Sequence, residues 1–253
     1  MIDLHSHILP GLDDGARDLD EALGIARAAV ADGIRVIAAT PHVRDDYPTT
    51  PEQMADGVAE LRAAFAREGI QLELLPGGEL ALDELDRSLD ELRRFGLGGN
   101  PEYLLVETPY VDWPLSVGDT VFRLASNGIT PVIGHPERNR AVQEDPERLA
   151  QLVRAGALVQ LTAASLDGRL GSTTRACAER LLDADLVHLV GSDAHGPGVR
   201  AVGLSAAAAA VGDDGLAGWL TEEVPAAIVA GDELPERPRR QRRSGVLSRL
   251  RGR

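Results

Sequence analysis

The sequence predicts an α/β fold in which seven parallel strands close into a (β/α) barrel. Short β-rich runs alternate along the chain with amphipathic helical patterns, which favours parallel strands joined by right-handed crossovers. Histidines and carboxylates recur at the ends of those strands. An open doubly wound sheet satisfies the alternation equally well, but it would string the strand ends along an edge, mostly too far apart to share a site. A barrel gathers them on one face, where barrel enzymes build their sites from the βα loops.

Taken in order, the strand at 2–5 runs into His5-Ser6-His7, and LDEALGIARAAVADG follows as a helix ending at Gly33. The strand at 35–39 leads into Pro41-His42. Thr49 or Thr50 then caps a helix that has Pro51 in its first turn and stops at Gly69. The strand at 72–75 leads to Glu79, and LDELDRSLDELRRFG predicts the next helix. The strand at 103–107 ends in Glu107. Gly128 closes the following helix, and the strand at 131–134 delivers His135. DPERLAQLVRAG is a helix stopped by Gly156, the strand at 158–161 follows, and the strand at 186–190 runs into Asp193-Ala194-His195.

Composition narrows the class. With 43% hydrophobic residues the chain can bury a core without disulfides. Its one cysteine, Cys177, excludes an intramolecular disulfide and a thiolate metal cluster, and fits a reducing cytoplasm. Within TTRACAERLLDAD it reads as a small buried hydrophobe. No secretory leader pattern opens the chain and no apolar run is long enough to span a bilayer, so a cytoplasmic protein without stable membrane insertion is expected. The net charge of −14 conceals a basic end, since LPERPRRQRRSGVLSRLRGR carries eight arginines against one glutamate. The acidic body argues against nucleic-acid binding. The barrel is assigned to residues 1–234 and an arginine-rich tail to 235–253, read first as a disordered, solvated extension and second as an electrostatic handle for anionic lipid or an acidic partner.

In an HxH pair on extended backbone both imidazoles point to one side, and Asp193 with His195 repeats that spacing. Two such pairs, two glutamates and two further histidines exceed what one ion can use. They suit two or three metals sharing a bridging carboxylate, the arrangement that activates water against a phosphate ester. Five of the six histidines follow predicted strands, while His188 lies within one and reads as a core or sheet-face residue. Tyr110 and Trp113 form either an apolar wall for an aromatic ring or part of the barrel rim. Spacing alone does not separate Asp13 from Asp14 as a ligand.

The blocks HSHILPGLDDGARD, ATPH, GGEL, VETPY, GHPERN and GSDAH resemble those of the PHP (polymerase and histidinol phosphatase) superfamily, in its CpsB/CapC-type branch of bacterial protein-tyrosine phosphatases. The likeness runs from residue 3 to about residue 200. It implies a distorted seven-stranded barrel carrying three divalent metals, manganese foremost, with iron or zinc acceptable. Carried over by position, His5, His7 and Asp193 hold the first metal with a bridging Glu79. Glu79, Glu107 and His135 hold the second, and Asp14, His42 and His195 the third. Asp14 is preferred to Asp13 because it matches the family's ligand in DDG. Arg138, three residues after His135, and Arg200, five after His195, are expected to bind phosphate oxygens, with Tyr110 beside them and Asp193 or His195 aiding proton transfer.

The implied activity is hydrolysis of phosphotyrosine in proteins by a hydroxide bridging the metals, on a bacterial tyrosine kinase regulating capsule or exopolysaccharide synthesis. Nothing resembles the CxxxxxR loop of thiol phosphatases, so no phosphoenzyme is expected. Rival readings are a small-molecule phosphoesterase acting on histidinol phosphate or a nucleotide, and a non-catalytic barrel used as a binding partner. Two loops depart from the family pattern. VRDDYPTT follows His42 where many relatives have a further histidine and a glycine-containing loop, and GPGVRAVGL follows His195 without the proline that often succeeds the arginine.

Overall fold

The computed structural model describes residues 1–239; the arginine-rich segment from 240 onward, most of the expected tail, lies outside the described residues. Among the described residues there are ten short strands: β1 (Ile2–Asp3), β2 (Val36–Ala39), β3 (His42–Arg44), β4 (Tyr47–Pro48), β5 (Glu73–Pro76), β6 (Glu79–Ala81), β7 (Tyr103–Glu107), β8 (Thr130–Gly134), β9 (Leu158–Thr162) and β10 (Leu189–Gly191). All pairs are parallel except the β3–β4 hairpin.

Seven expected strands become ten largely because the second and third are each broken in two. Pro41 has no N–H to offer the ladder, so β2 ends before it and β3 resumes after it. Gly77 and Gly78 divide β5 from β6. A Cβ on Gly78 would meet the buried Phe95 ring at 2.8 Å, so only glycine lets the chain pass there. The first halves pair as β1-β2-β5, and the second halves continue into β3-β6-β7-β8-β9-β10. The first and last segments meet through a parallel bridge between Ser6 and Ala194, with the Asp193 N–H donating to His5 O at 2.8 Å and the His7 N–H to Ala194 O at 2.9 Å. The strand order therefore returns on itself, as a distorted barrel requires.

The helices cover this ring with apolar faces. Helix Leu19–Ala31 starts at Asp18, whose side chain accepts from the Glu21 N–H, and buries Ala22, Ile25, Ala26 and Ala29. Helix Pro51–Glu68 opens with a capping box between Thr50 and Gln53, worth about 1 kcal/mol, and stops at Gly69 with φ 65°. The other glycines expected at helix ends, Gly33, Gly128 and Gly156, likewise have positive φ.

Two sequence expectations need correcting. The pattern LDELDRSLDELRRFG does not form one helix: a 3₁₀ turn, Leu82–Asp86, is followed by a separate short helix, Leu89–Arg93. Ser88 accepts from the Glu91 N–H while Glu91 caps Ser88 in return, so a second N-terminus falls inside the apparent period. The last strand begins at Leu189 rather than at 186, because the Leu186 N–H still closes the preceding helix on Leu181 O and Asp185 is left-handed at φ 58°. His188 thus precedes the strand. Its Nδ1 accepts from the Val159 N–H at 3.1 Å, and burial with Arg237 nearby pushes its pKa down to about 4.

Pro235 and Arg237, at the start of the expected tail, lie against the body. Trp219 Nε1 donates to Pro235 O at 3.0 Å, and the Arg237 guanidinium covers the Trp219 ring at 5.1 Å. No helix among the described residues is long and apolar enough to cross a membrane.

Candidate metal centre

The strand ends converge as the barrel reading anticipates. His5 and His7 follow β1, and the loop after them folds back so that the Ala16 N–H donates to His7 O at 3.0 Å. Gly15 makes that turn possible, since a Cβ there would lie 2.1 Å from the same carbonyl oxygen. The loop separates the two aspartates. Asp13 turns inward as a brace: it accepts from His7 Nδ1 at 2.7 Å, from the His42 N–H at 2.9 Å and from the Gly15 N–H at 2.9 Å. Asp14 faces His42 Nε2 at 3.4 Å and His195 Nε2 at 3.2 Å.

Parallel pairing sets His42 level with Glu79 on adjacent strands. Glu79 is the hub. It stands 3.4 Å from His5 Nε2, 3.2 Å from His7 Nε2, 3.0 Å from His42 Nδ1 and 2.8 Å from His135 Nε2. Asp193 lies 3.5 Å from His5 Nε2 and 3.4 Å from His7 Nε2. Four overlapping groups have ligand atoms within 4.8 Å of one another: His7, Asp14, His42 and His195; His5, His7 and Asp193; His5, Glu79 and His135; His42, Glu79 and Glu107. All nine candidate ligands are therefore in one constellation.

Its donor set fits divalent metals. His42 Nδ1 and Glu79 Oε2 are 3.0 Å apart, yet neither atom makes a hydrogen bond, and Glu107 Oε1 and His195 Nε2 are also buried without one. Buried polar atoms left this way cost about 1–3 kcal/mol each. Lone pairs that avoid one another and converge on a common space are what ligation uses. The imidazoles are also oriented from behind. His5 Nδ1 meets Gln160 Oε1 at 2.8 Å, His7 Nδ1 meets Asp13, and His195 Nδ1 meets Asp193 O at 2.9 Å, so each Nε2 faces the cluster. His135 and Asp193 hold left-handed backbone, with φ 35° and 52°. Such residues cost roughly 1–3 kcal/mol and gather at functional sites.

Electrostatics link this set to protons. Burial alone would depress the His42 pKa, but Asp14 and Glu79 outweigh it and hold it at about 9. His5 and His7 are raised against burial in the same way, by Glu79 with Asp193 and by Asp13 respectively. His195 is instead lowered to about 4 by burial and by His7, so it is neutral near pH 7. Metals take neutral imidazole, so ligation must strip protons from His5, His7 and His42. Affinity for manganese should therefore rise with pH through about 9, where His42 is half deprotonated, and weaken as pH falls. The slope should be roughly tenfold per pH unit for each proton displaced. Calorimetric titrations in two buffers of different ionisation enthalpy measure the protons released at pH 7; finding none would contradict the linkage.

Around the cluster, Arg138 Nη1 donates to Asp193 Oδ2 at 2.8 Å and Arg200 Nη2 to Asp193 Oδ1 at 2.8 Å. The Arg138 guanidinium covers the Tyr110 ring at 4.6 Å, and that ring stacks beside His135 with centroids 5.8 Å apart. Tyr110 thus belongs to the mouth of the site, whereas Trp113 is half-buried against the core. Three contributors were not singled out from sequence. Gln160, on β9, has its amide oriented by donating to Leu161 O at 2.5 Å, and the visible signal was an amide inside the apolar run LVQL. Arg44 donates to Glu107 at 3.1 Å, and Tyr47 stacks on His42 at 5.9 Å; both come from the divergent VRDDYPTT loop, which folds as the β3–β4 hairpin. Gln160→Leu should weaken metal affinity by about 10–100-fold through loss of the His5 brace. Metal titration against wild type checks this, and unchanged affinity would remove Gln160 from the site.

A mostly parallel array of strands with nine histidine, aspartate and glutamate side chains gathered at its strand ends is a barrel-type hydrolase scaffold whose donors suit divalent metals. Residues 1–214 match the family model described as capsular polysaccharide synthesis, CpsB/CapC, and the chain belongs to that family. It is 40% identical to the tyrosine-protein phosphatase YwqE of Bacillus subtilis over 197 residues, 77% of each chain. It is 29% identical to the tyrosine-protein phosphatase CpsB of Streptococcus agalactiae over 209 residues, 79% of this chain and 85% of that one. A solved structure from work on YwqE of B. subtilis and CpsB of Streptococcus pneumoniae, described as unique metal-dependent tyrosine phosphatases, aligns with a TM-score of 0.86. It is 34% identical and covers 95% of this chain and 100% of that chain. Histidinol phosphate phosphatase of Lactococcus lactis shares the fold at 14% identity, with a TM-score of 0.51 over 76% of this chain and 86% of that one.

Proposed function

We propose that this protein is a metal-dependent protein-tyrosine phosphatase of the CpsB/CapC type, acting on phosphotyrosine in proteins. The observation that carries the reading is the placement of Arg138 and Arg200 on the two oxygens of Asp193, at the edge of the cluster. Two guanidiniums beside a dense carboxylate–imidazole set form a site for a dianion that must be held, oriented and neutralised as it reacts. Divalent metals bound there supply Lewis acidity and a water activated for attack on phosphorus.

We assign His5, His7, Asp193 and Glu79 to one metal, Glu79, Glu107 and His135 to a second, and Asp14, His42 and His195 to a third, with manganese as the working ion. Arg138 and Arg200 take the equatorial phosphate oxygens, and Tyr110 flanks the substrate ring. We assign proton transfer to Asp193 or His195 in addition to ligation. Phenolate needs little help to leave. A cytoplasmic location and a tyrosine kinase of capsule or exopolysaccharide synthesis as the physiological substrate belong to the same proposal. Cys177 takes no part: it is fully buried and burial raises its thiol pKa.

The test is a substrate panel with added manganese. Phosphotyrosine peptide should be hydrolysed, with histidinol phosphate and a nucleotide turned over at least roughly tenfold less efficiently. Strong chelation should abolish the activity, and Cys177→Ser should retain it. Activity that survives chelation, or is lost on the Cys177 change, overturns the mechanism.

A further inference from the structure

A groove of about 560 Å³ opens beside the cluster at Glu107 and Tyr110 and extends to the turn Leu82–Asp86 and the loop at Pro114. Its walls include Leu82, Pro109, Pro114 and the Tyr110 ring. Thr108 lines it too, and the Thr108 hydroxyl is buried with no hydrogen-bond partner. The groove is preformed. The Arg123 guanidinium donates to Leu85 O beneath the turn, and Asn139 Nδ2 ties down the opposite loop by donating to Pro109 O and, at 3.0 Å, to Asp112 O.

Its charges are unbalanced. Arg44, the single cation of the lining among the described residues, is already paired with Glu107 at 3.1 Å and Asp46 at 2.8 Å. Asp83 and Asp86 are exposed, and among the described residues neither carboxylate has a hydrogen bond or ion pair. Resting on the reading of the site as a phosphotyrosine-protein phosphatase, we propose that this groove seats the polypeptide beside the phosphotyrosine and selects substrates with arginine or lysine there.

The chemistry favours long basic side chains over other occupants. Their aliphatic stems match the proline and leucine walls while their charged heads reach exposed carboxylates. An acidic flank would meet two unpaired aspartates, and an apolar one would leave them unused.

The experiment compares three peptides that differ only in the residues beside phosphotyrosine, which are arginine, alanine or glutamate, together with 4-nitrophenyl phosphate, using the full chain loaded with manganese. The value of kcat/KM should rank arginine above alanine above glutamate, spanning about tenfold at low salt and shrinking as salt screens exposed charge. The difference should lie in KM, with kcat nearly constant. Asp83→Asn with Asp86→Asn should reduce the span to about twofold or less while 4-nitrophenyl phosphate turnover stays unchanged, which also reports an intact site. A wild type that treats the three peptides alike or prefers glutamate, or a double variant that keeps the preference, overturns the proposal. Failure to hydrolyse every peptide and 4-nitrophenyl phosphate brings down the phosphatase reading first, and the groove with it.

Discussion

A Glu79→Gln variant should lose bound metal and turnover together, with kcat/KM falling by at least about a thousandfold on phosphotyrosine peptide. Four histidines face this carboxylate between 2.8 and 3.4 Å, more than face any other member of the cluster. Burial would raise the Glu79 pKa, but His5, His135 and His42 outweigh it and hold the carboxyl well below the usual carboxylate range. Glutamine keeps the shape and removes the charge. The substitution also strips the counter-charge from the buried His5 and His42 imidazoles, so the metal-free variant should lose about 3–5 kcal/mol of stability while those two remain protonated. Metal content by mass spectrometry, thermal melting and turnover, measured on one preparation, separate these effects. A variant that keeps its full metal complement would show that Glu79 bridges nothing.

The fold was largely legible because barrel strands are short apolar runs and each is punctuated. Gly33, Gly69, Gly128 and Gly156 take the positive φ that their places after helices implied. The misreadings share a cause, since periodicity reports what a segment would do alone. Pro41 and the Gly77-Gly78 pair break strands where neighbouring chains pass close, and only Phe95 in place shows why Gly78 cannot carry a side chain. Ser88 reads as one residue in a helical period until its capping box with Glu91 is visible.

The site was legible to a different degree in its two layers. His5, His7, Asp14, His42, Glu79, Glu107, His135, Asp193 and His195 stand out because ionisable residues at strand ends are unusual unless they converge. The layer behind them does not stand out. Gln160 is an ordinary amide until β9 places it 2.8 Å from His5. Asp13 and Asp14 are adjacent in sequence yet face different ways, and the tight turn at Gly15 sends one behind His7 and the other toward His42 and His195. Arg44 and Tyr47 were hidden in a loop whose departure from family pattern gave no hint that it would fold as a hairpin over the mouth.

Asp193→Asn should be almost as damaging as the loss of Glu79, and more informative. Asp193 stands between the two halves of the site, facing His5 and His7 on one side and receiving Arg138 and Arg200 at 2.8 Å each on the other. Burial would raise its pKa, but His5, His7 and Arg200 outweigh burial and keep it well below the carboxylate range. Its backbone is left-handed at φ 52°, a conformation asparagine accepts readily and alanine does not. The asparagine variant therefore keeps the turn and removes only the charge, whereas Asp193→Ala disturbs both. If the carboxylate acts as ligand and as anchor for the arginines, both variants should lose about a thousandfold or more in kcat/KM, with only the alanine variant melting markedly lower. If the left-handed turn were the essential element, asparagine would restore most of the activity. That outcome would remove Asp193 from the metal site and leave it a structural corner of the barrel.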